Sequence, residues 1–491
     1  MFIFIVLPLI CAGIMPLLGR ISKKRGPDIL SALVLLILFI SSVFIFSPSL
    51  REPWQYIQSI SFLGEPIHIN LALDSFSGLF LILISFISLM ISLFSIDYMG
   101  IYGSKPIYYA LLLIIIAALN GLVLSKDLFN IYIFLEVAAI ASFGLVSFSL
   151  EAESLEGAYK YLLLSAIASG FILLGIVLLF GVTGSLSLDG IKKAMDIVNN
   201  RSIIILCSML FIAGFGLKTA LVPFHSWMPD AYTKAPATFP AMSSGLIIKI
   251  TGIYVLARIF FNMFKINTGI SFVLLFLGMF SIIVGTFLAL GQKDIKRMLA
   301  YSSISQVGYI IAGFGVGTYL GVIAALFQLF NHSIFKSLLF LNAGSLEKST
   351  GTQNLDEMGG LEKKMPVTAT TNAVGLLSTA GVPPLNGFWS KLLIILALLQ
   401  AKLYTYAIIA IIMSVITLWY FLIMHRKAFF GTLNEKWTEV KEAPFWMSFS
   451  MIILALSCLV IGIVFYAVLK HFIVPSSMPL IGFVKLKGFL P

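Results

Sequence analysis

Four lysines, one glutamate and one histidine interrupt long apolar stretches of the sequence. They are Glu136, Lys218, Lys249, His332, Lys336 and Lys391. A charged side chain at the centre of a bilayer costs about 2.5–3.5 kcal/mol on insertion scales, so such residues usually face a polar interior and move ions or protons. These residue types therefore predict proton transfer within a membrane.

Each lysine also has a structural interpretation, in which its ammonium extends from a helix end to the membrane surface. Lys218 and Lys249 lie near the middle of their apolar stretches, which argues against that arrangement. For Lys336 and Lys391 the sequence defines the helix ends less sharply, and both interpretations remain open.

Two histidines are candidates for the same chemistry. His332 and Lys336 are four residues apart and therefore share one helix face, which predicts a two-member proton path. The alternative is an ordinary core histidine. His225 follows Pro223 near one predicted surface, where it is either a point of proton uptake or a plain interfacial histidine.

Glu136 supplies the lysine line with a group of opposite charge. At about 4 Å and an effective dielectric constant of about 20, a carboxylate stabilises an ammonium by about 4 kcal/mol. Movement of Glu136 toward or away from Lys218 would therefore load or release a proton. Whether the two residues meet depends on the fold.

Hydroxyl and amide side chains near these positions indicate a hydrated interior. The segment YSSISQ (301–306) and Asn331 can hold waters between titrating groups. The alternative is that they form hydrogen bonds between helices.

Several other kinds of site do not fit the sequence. GFGVG (313–317) lies inside an apolar stretch without a preceding strand, so it is not a dinucleotide site. Cys11, Cys207 and Cys458 stand alone, which excludes an iron–sulfur cluster or structural zinc in this chain. A sodium site needs several oxygen ligands, and only Glu136 lies deep in an apolar stretch. We therefore expect no cofactor, and protons rather than sodium as the ion that this chain moves.

The elements that position these residues are transmembrane helices. Of the 491 residues, 59% are hydrophobic and 11% are charged, whereas soluble domains carry about a quarter charged residues. The apolar runs are long and continuous, which favours helices over the weakly alternating strands of a barrel. The net charge of +11 is typical of basic loops that set topology, and we expect no nucleic-acid partner.

The predicted fold class is an all-α polytopic membrane protein with about 14 transmembrane helices. The first apolar run is followed rather than preceded by basic residues, so we expect a retained helix and not a cleaved signal. The predicted helices are 2–19, 29–47, 75–98, 107–124, 127–148, 158–182, 203–228, 236–261, 270–290, 297–317, 319–343, 366–399, 403–424 and 447–470.

Two of these helices, the seventh and the twelfth, are predicted to be broken. Lys218 lies between Gly216 and Pro223, and Lys391 follows Pro383 and Pro384. Such breaks free backbone groups that must line a cavity. Paired breaks at corresponding positions point to an inverted repeat, although a proline kink is the alternative for either helix alone.

The repeat divides the chain into four parts. We expect helices 1–3 in residues 1–100, a first five-helix repeat in 105–262 and a second, inverted five-helix repeat in 268–425. Residues 445–491 form the last helix and a tail. An even number of spans places both termini on one side. Basic loop residues number 17 on the opposite side and 11 on the terminal side, which predicts that both termini are outside the cell.

Five ordered motifs resemble a known family. They are LFNIYIFLEVAAIASFGLV (128–146), FGLKTALVPFHSWMPDAYTKAPA (215–237), DIKRMLAYSSISQVGYI (294–310), FNHSIFKSLLFLNAG (330–344) and GVPPLNGFWSKLLI (381–394). The chain is similar in these segments to the antiporter-like subunits of respiratory complex I, Mrp-type sodium/proton antiporters and membrane-bound hydrogenases. Length and motif placement most resemble the D-type branch of the Mrp antiporter subunits.

The resemblance implies a role for each charged residue. Glu136 matches the glutamate that modulates the lysine of the broken seventh helix, here Lys218. Lys249 matches the relay of the eighth helix. His332 and Lys336 match the connecting residues of the eleventh helix. Lys391 matches the terminal group of the twelfth helix, which is glutamate in one complex I branch, so lysine argues against that branch.

The resemblance leaves two principal hypotheses for function. The first is a proton-translocating subunit of a multisubunit sodium/proton antiporter in the cell (cytoplasmic) membrane. The second is the same pumping module in a redox-driven hydrogenase or a ferredoxin-, NADH- or quinone-linked oxidoreductase, whose redox centres lie in other subunits. Both require other membrane subunits as partners. A stand-alone solute carrier, the third hypothesis, fits the spread of charges less well.

Overall fold

A computed structural model describes residues 1–21, 25–49, 54–62, 65–195, 201–264 and 266–481. The basic residues at 23, 24, 51, 265, 485 and 487, which contribute to the topology prediction, lie outside the described residues, as does the end of the predicted C-terminal tail.

The described residues form eighteen helices and one two-stranded sheet. The helices are α1 Ile3–Ile21, α2 Gly26–Ser49, α3 Ser75–Tyr98, α4 Lys105–Leu124, α5 Leu128–Val146, α6 Ala152–Thr183, α7 Leu188–Met195, α8 Arg201–Lys218, α9 Trp227–Lys234, α10 Thr238–Met263, α11 Thr268–Leu290, α12 Ile295–Gly315, α13 Tyr319–Thr350, α14 Pro366–Ala380, α15 Asn386–Gln400, α16 Tyr404–Phe429, α17 Phe445–Ile463 and α18 Phe465–Ile481.

The mostly helical, polytopic architecture is confirmed. Within the described residues, 11 helices are long and apolar enough to cross a membrane. The predicted spans that fall outside this set are 203–228, 297–317 and 366–399. Two of them are the broken helices, which carry Lys218 and Lys391, and the third is the polar α12, which carries none of the six candidate residues. The exact number of spans stays a prediction.

The two predicted breaks are present. The first separates α8 from α9 after Lys218, and Trp227 Nε1 donates a hydrogen bond of 2.9 Å to the carbonyl oxygen of Leu217 across it. The second separates α14 from α15 at 381–385. Ser281 Oγ on α11 accepts the backbone N–H of Val222 at 3.0 Å. Protein groups thus satisfy backbone atoms that the first break frees, as the bilayer requires.

Contacts at the start of α5 recur at the start of α12. Asp127 caps α5 and bridges to Ser187, and Asp294 caps α12 and bridges to Asn354. In both places the residue after the aspartate donates a backbone hydrogen bond to the segment that follows a 32-residue helix, α6 or α13. The residue before the aspartate accepts a backbone hydrogen bond from the same segment. This recurrence favours the predicted repeat; its inverted orientation and its boundaries at 105–262 and 268–425 stay predictions.

One element is absent from the sequence prediction. Strands β1 Trp54–Phe62 and β2 Glu65–Leu73 pair antiparallel, with Trp54 opposite Leu73. Both segments alternate apolar and polar residues, which is the strand pattern. This stretch is too short and too polar to form a membrane helix, so no element is predicted here.

The centre of the molecule is formed by α10 and α13. In the most apolar 18-residue segment of each of these helices, 94% of the residues are buried, compared with 33% in α1 and in α2. Ser337 Oγ on α13 donates to the carbonyl oxygen of Ala241 on α10 at 3.0 Å and joins the two helices. Four of the six candidate residues lie on α10, α13 and the neighbouring α15.

Candidate proton path

Glu136 on α5 and Lys218 on α8 meet. Glu136 Oε1 lies 3.8 Å from Lys218 Nζ, and the side chains are 32% and 4% exposed, respectively. Lys218 Nζ also donates a hydrogen bond of 2.7 Å to Ser165 Oγ, while Ser169 Oγ donates to Glu136 Oε1. Both serines lie on α6, one turn apart. Helix α6 therefore holds the Glu136 carboxylate and the Lys218 ammonium side by side, because each is hydrogen bonded to a different serine hydroxyl of this helix.

Lys249 is the next residue of the predicted proton path, and the protein encloses it. It is 1% exposed, and its Nζ donates to the carbonyl oxygen of Ser244. This part of α10 contains π-helical turns, a geometry often found at functional sites. Ser244 Oγ and Ser303 Oγ on α12 are hydrogen bonded at 2.9 Å. Among the described residues, the lysine is thus held by a backbone carbonyl oxygen rather than by a carboxylate.

His332 and Lys336 lie deep within α13, with no solvent exposure. Lys336 Nζ donates to Ser302 Oγ at 2.8 Å and to the carbonyl oxygen of Leu299 at 3.2 Å. Neither ring nitrogen of His332 has a hydrogen-bond partner among the described residues. Buried polar atoms usually have a hydrogen-bond partner, so both ring nitrogens are available to water or to a transferred proton.

Lys391 spans the second helix break. Its Nζ lies 3.2 Å from the carbonyl oxygen of Ala380, the last residue of α14, and 3.2 Å from Ser414 Oγ on α16. The ammonium also lies 4.8 Å from the centre of the Tyr309 ring. Lys391 is 3% exposed and Lys336 is fully buried, so neither lysine extends to the surface.

The basic residues of α10, α13 and α15 are electrostatic neighbours. Lys249, Lys336 and Lys391 all act on His332. Among the described residues, the hydrogen-bond and ion-pair partners of these three lysines are neutral. Because four basic groups lie together without a neutralising carboxylate, charge on one of them disfavours charge on the others.

The polar residues predicted to hold water form contacts with other helices. Ser302 and Ser303 contact the lysines or their partners. Ser305 Oγ is bonded to Thr286 Oγ1 at 2.9 Å, and Gln328 Nε2 donates to Gln306 Oε1 at 3.0 Å, which are bonds between helices. The contacts of the 301–306 segment are thus hydrogen bonds between helices, and its proposed role in holding water stays a prediction.

His225 is not joined to the lysine line by any contact of the described residues. It is partly buried, its ring lies 6.4 Å from the Tyr301 ring, and Nδ1 has no described partner. Nearby Asp230 accepts hydrogen bonds from Lys160 at 2.8 Å and Arg297 at 2.9 Å. The role of His225 in proton uptake stays a prediction.

Two buried ion pairs are not visible in the sequence. Lys296 Nζ lies 3.1 Å from Glu347 Oε1, and Arg258 Nη2 lies 2.7 Å from Asp74 Oδ1. The topology prediction counts both basic residues with the loops. The predicted eleventh helix ends at 343, which leaves Glu347 in a predicted loop, whereas α13 continues to Thr350.

No metal site is formed by the described residues: they contain no group of three or more His, Cys, Asp or Glu side chains close enough to hold an ion. The three cysteines are free and buried in separate helices.

Comparison with known proteins adds to this geometry. Residues 125–417 match the family described as NADH:quinone oxidoreductase/Mrp antiporter, transmembrane. Residues 60–103 match the family described as NADH-ubiquinone oxidoreductase (complex I), chain 5 N-terminus.

Two relatives illustrate the range of the similarity. The N-type subunit of the NADH-quinone oxidoreductase of Desulforudis audaxviator is 31% identical over 481 residues, which cover 94% of this chain and 95% of that protein. The D-type subunit of the Na(+)/H(+) antiporter of Alkalihalophilus pseudofirmus is 32% identical over 375 residues, which cover 76% of each. A chain of the Mrp complex from Dietzia sp. DQ12-45-1b superimposes with a TM-score of 0.88 at 25% identity, covering 98% of this chain and 96% of that one.

Proposed function

The chain belongs to the family of membrane subunits shared by NADH:quinone oxidoreductases and Mrp antiporters, and we propose that it moves protons along Glu136, Lys218, Lys249, His332, Lys336 and Lys391. The single observation that carries the proposal is the Glu136–Lys218 pair, in which a buried lysine has one carboxylate and one hydroxyl as alternative partners. Among the described residues, the other lysines of the line have neutral hydrogen-bond partners.

The Glu136–Lys218 distance is suited to a switch. At 3.8 Å and an effective dielectric constant of about 20, the pair is worth about 4 kcal/mol. Glu136 is one-third exposed, so its side chain has room to move, whereas Lys218 is enclosed. When Glu136 is close, Lys218 holds a proton; when Glu136 moves away, the unpaired ammonium gives its proton up.

Repulsion between the remaining basic groups moves the proton onward. A proton that reaches Lys249 destabilises charge on its electrostatic neighbours His332 and Lys336, and so expels a proton that either of them already holds. Lys391, on the second broken helix, then receives or releases the proton at the other end of the line. Ser302 and Ser414 hold the donor ends of Lys336 and Lys391 and keep them within the polar core.

The proposed transported ion is the proton. Among the residues named in the line only Glu136 offers a carboxylate, and Na⁺, like other hard cations, requires several oxygen ligands. Sodium would therefore be handled by other subunits. We place the chain in the cytoplasmic membrane with both termini outside, which makes the side that carries loops 293–297, 348–364 and 426–441 the inner side.

We favour a subunit of a gradient-driven sodium/proton antiporter. The second candidate, a pumping module in a redox-driven complex, is supported by the similarity to an NADH-quinone oxidoreductase subunit over 94% of this chain. In both cases the chain acts with other membrane subunits, as the subunit names of its relatives indicate.

The experiment that separates the two is affinity purification of the tagged chain in mild detergent, with mass spectrometry of every co-purifying subunit. Small membrane subunits alone, together with sodium/proton exchange in vesicles, would support the antiporter. Iron–sulfur or nickel-containing subunits would establish the redox-driven complex. A chain that purifies alone and moves no protons would contradict both.

A further inference from the structure

Asp230 on α9 joins two helices that belong to different predicted repeats. Its Oδ2 accepts a hydrogen bond of 2.8 Å from Lys160 Nζ on α6, and its Oδ1 accepts one of 2.9 Å from Arg297 Nη1 on α12. The Asp230 side chain is 28% exposed, and the proton line uses neither this carboxylate nor its two partners. Each carboxylate oxygen thus binds a cation of a different helix.

Helix α9 is packed closely against α6. The backbone of α9 passes so near Gly157 that a Cβ there would lie 3.1 Å from the carbonyl oxygen of Asp230. The rings of Tyr161 on α6 and Trp227 on α9 are stacked, with their centres 4.5 Å apart. Trp227 also donates its hydrogen bond to the carbonyl oxygen of Leu217 at the end of α8. A displacement of α6 therefore displaces α9 as well.

Helix α12 holds α9 at two points. Besides the bond from Arg297 to Asp230, Lys296 Nζ donates a hydrogen bond of 2.9 Å to the carbonyl oxygen of Ala235, directly after α9. Lys296 is 1% exposed. An isolated ion pair at a surface contributes little, but here two cations share one carboxylate beside a buried hydrogen bond. Helix α9 is therefore a link between α6 and α12.

The two cations that bind Asp230 lie at the same spacing from a serine of their own helix. Lys160 precedes Ser165 on α6 by five residues, and Arg297 precedes Ser302 on α12 by five residues, or about 7.5 Å along each helix axis. Each serine hydroxyl accepts a hydrogen bond from a buried lysine of the proton line. The link thus connects the two helices whose hydroxyls hold these lysines.

We propose that Asp230 is a positioning residue that couples the Lys218 site to the Lys336 site. It makes α6 and α12 move together, so the hydroxyl partners of the two lysines shift in concert. Coupling of this kind is carried by packed side chains and ion pairs between rigid helices. The inference rests on the proposed function, and it adds a mechanical connection between the repeats to the repulsion between basic groups.

The distance between two spin labels tests the link without relying on transport. The intact complex, with its native cysteines replaced by alanine, carries labels at Leu155→Cys and Gly291→Cys. Leu155 is exposed on α6, and Gly291 is exposed four residues before α12, where a Cβ meets nothing within 4 Å.

Asp230→Asn should make the distribution of distances between the labels at least about twofold broader, because the link between the helices is lost. Glu156→Gln is the matched control: Glu156 is a second carboxylate that pairs with Lys160, at 2.8 Å, but it lies on α6 itself. The control should leave the distribution unchanged. A distribution of equal width in Asp230→Asn and wild type would overturn the link.

Proton flux in proteoliposomes tests whether the link couples the two sites. Ser165→Ala and Ser302→Ala are measured singly and together. With Asp230 present, the combined loss should differ from the product of the single losses by at least about threefold, whereas in Asp230→Asn the single losses should multiply. Asp230→Glu keeps the charge and should retain the deviation from the product.

A purely structural role of Asp230 would lower the flux of every variant by the same factor and leave this deviation unchanged. The coupling would be overturned by an equal deviation with and without the carboxylate, or by losses that multiply in both backgrounds. A wild-type complex that moves no protons would instead contradict the proposed function, and the spin labels would still decide whether α9 links α6 to α12.

Discussion

The ammonium of Lys218 lies between two groups of different character: Ser165 Oγ at 2.7 Å and Glu136 Oε1 at 3.8 Å. The hydroxyl is within hydrogen-bond distance and the carboxylate is just beyond it. Because α6 also supplies Ser169 to Glu136, a small shift of α6 changes both partners of the pair at once. This arrangement makes α6 the element that sets how strongly Lys218 holds its proton.

Ser165→Ala should slow proton transport without preventing assembly. It removes a hydrogen bond that the charged lysine donates, an interaction of about 1.5–3 kcal/mol, and leaves Lys218 with Glu136 alone, which weakens the hold of Lys218 on its proton. A transport rate lower by about tenfold is expected in proteoliposomes. Ser208→Ala is the matched control, because among the described residues its hydroxyl is bonded to the Ile204 carbonyl of its own helix. Equal rates in the two variants would contradict the role of Ser165.

His332→Phe separates function from stability. Both ring nitrogens of His332 lack described protein partners, so an aromatic ring without polar atoms should leave the melting temperature unchanged or higher. Proton transport should fall at least about tenfold, because the relay is lost. Thermal unfolding and proton flux are measured on the same preparation. A protein that transports normally would remove His332 from the line.

Gly387→Ala should disturb the second helix break. A Cβ at this position would meet the carbonyl oxygen of Ser378, which is backbone and cannot move away easily. Overpacking of this kind costs about 1–3 kcal/mol, so both the melting temperature and transport should fall. Gly170→Ala is the control, since a Cβ there meets nothing within 4 Å. The role of this contact would be refuted if the two variants had the same melting temperature.

The Asp74–Arg258 pair predicts a pH dependence of stability. Burial raises the pKa of the Asp74 carboxyl, but Arg258 and the hydrogen bonds of Ser77 outweigh it and lower the pKa to about 2. Because the folded pKa is below the unfolded value of about 3.9, the stabilisation is present above about pH 4 and is lost as the pH falls toward 2.

Asp74→Asn should therefore destabilise the protein at pH 7 by about 3–5 kcal/mol, the cost of leaving a buried charge unpaired. The gap between variant and wild type should narrow by about 2.6 kcal/mol as the pH falls from about 4 to below 2. Asp356→Asn, which affects exposed partners Lys293 and Lys427, should change the melting temperature much less. A gap that persists unchanged at low pH would show that the pair is not its source.

The helices, the breaks and the lysines were predictable because each has a direct signal in the sequence. Lysine within an apolar run is costly enough to stand out, and Gly and Pro mark the breaks beside Lys218 and Lys391. The sequence does not define the helix ends near Lys336 and Lys391 sharply. Their burial shows that neither ammonium extends to the membrane surface.

The partners of the lysines were not predictable. Ser165 and Ser169 are ordinary hydroxyl residues of a long apolar helix, and only the packing of α6 against α5 and α8 shows that they hold Lys218 and Glu136. The ion pair of Lys296 with Glu347 is hidden in the sequence because α13 extends beyond its predicted end. Helix length and helix packing, rather than residue type, carry this information.

The most direct test of the central claim is proton flux through the purified complex in proteoliposomes, measured with a pH-sensitive dye in wild type, Lys218→Ala and Glu136→Ala. Lys363→Ala, in an exposed loop, is the control, and subunit composition is checked in each preparation. We predict an intact complex with transport lowered at least about tenfold in both variants and unchanged in the control. Wild-type flux in either variant would contradict the Glu136–Lys218 switch.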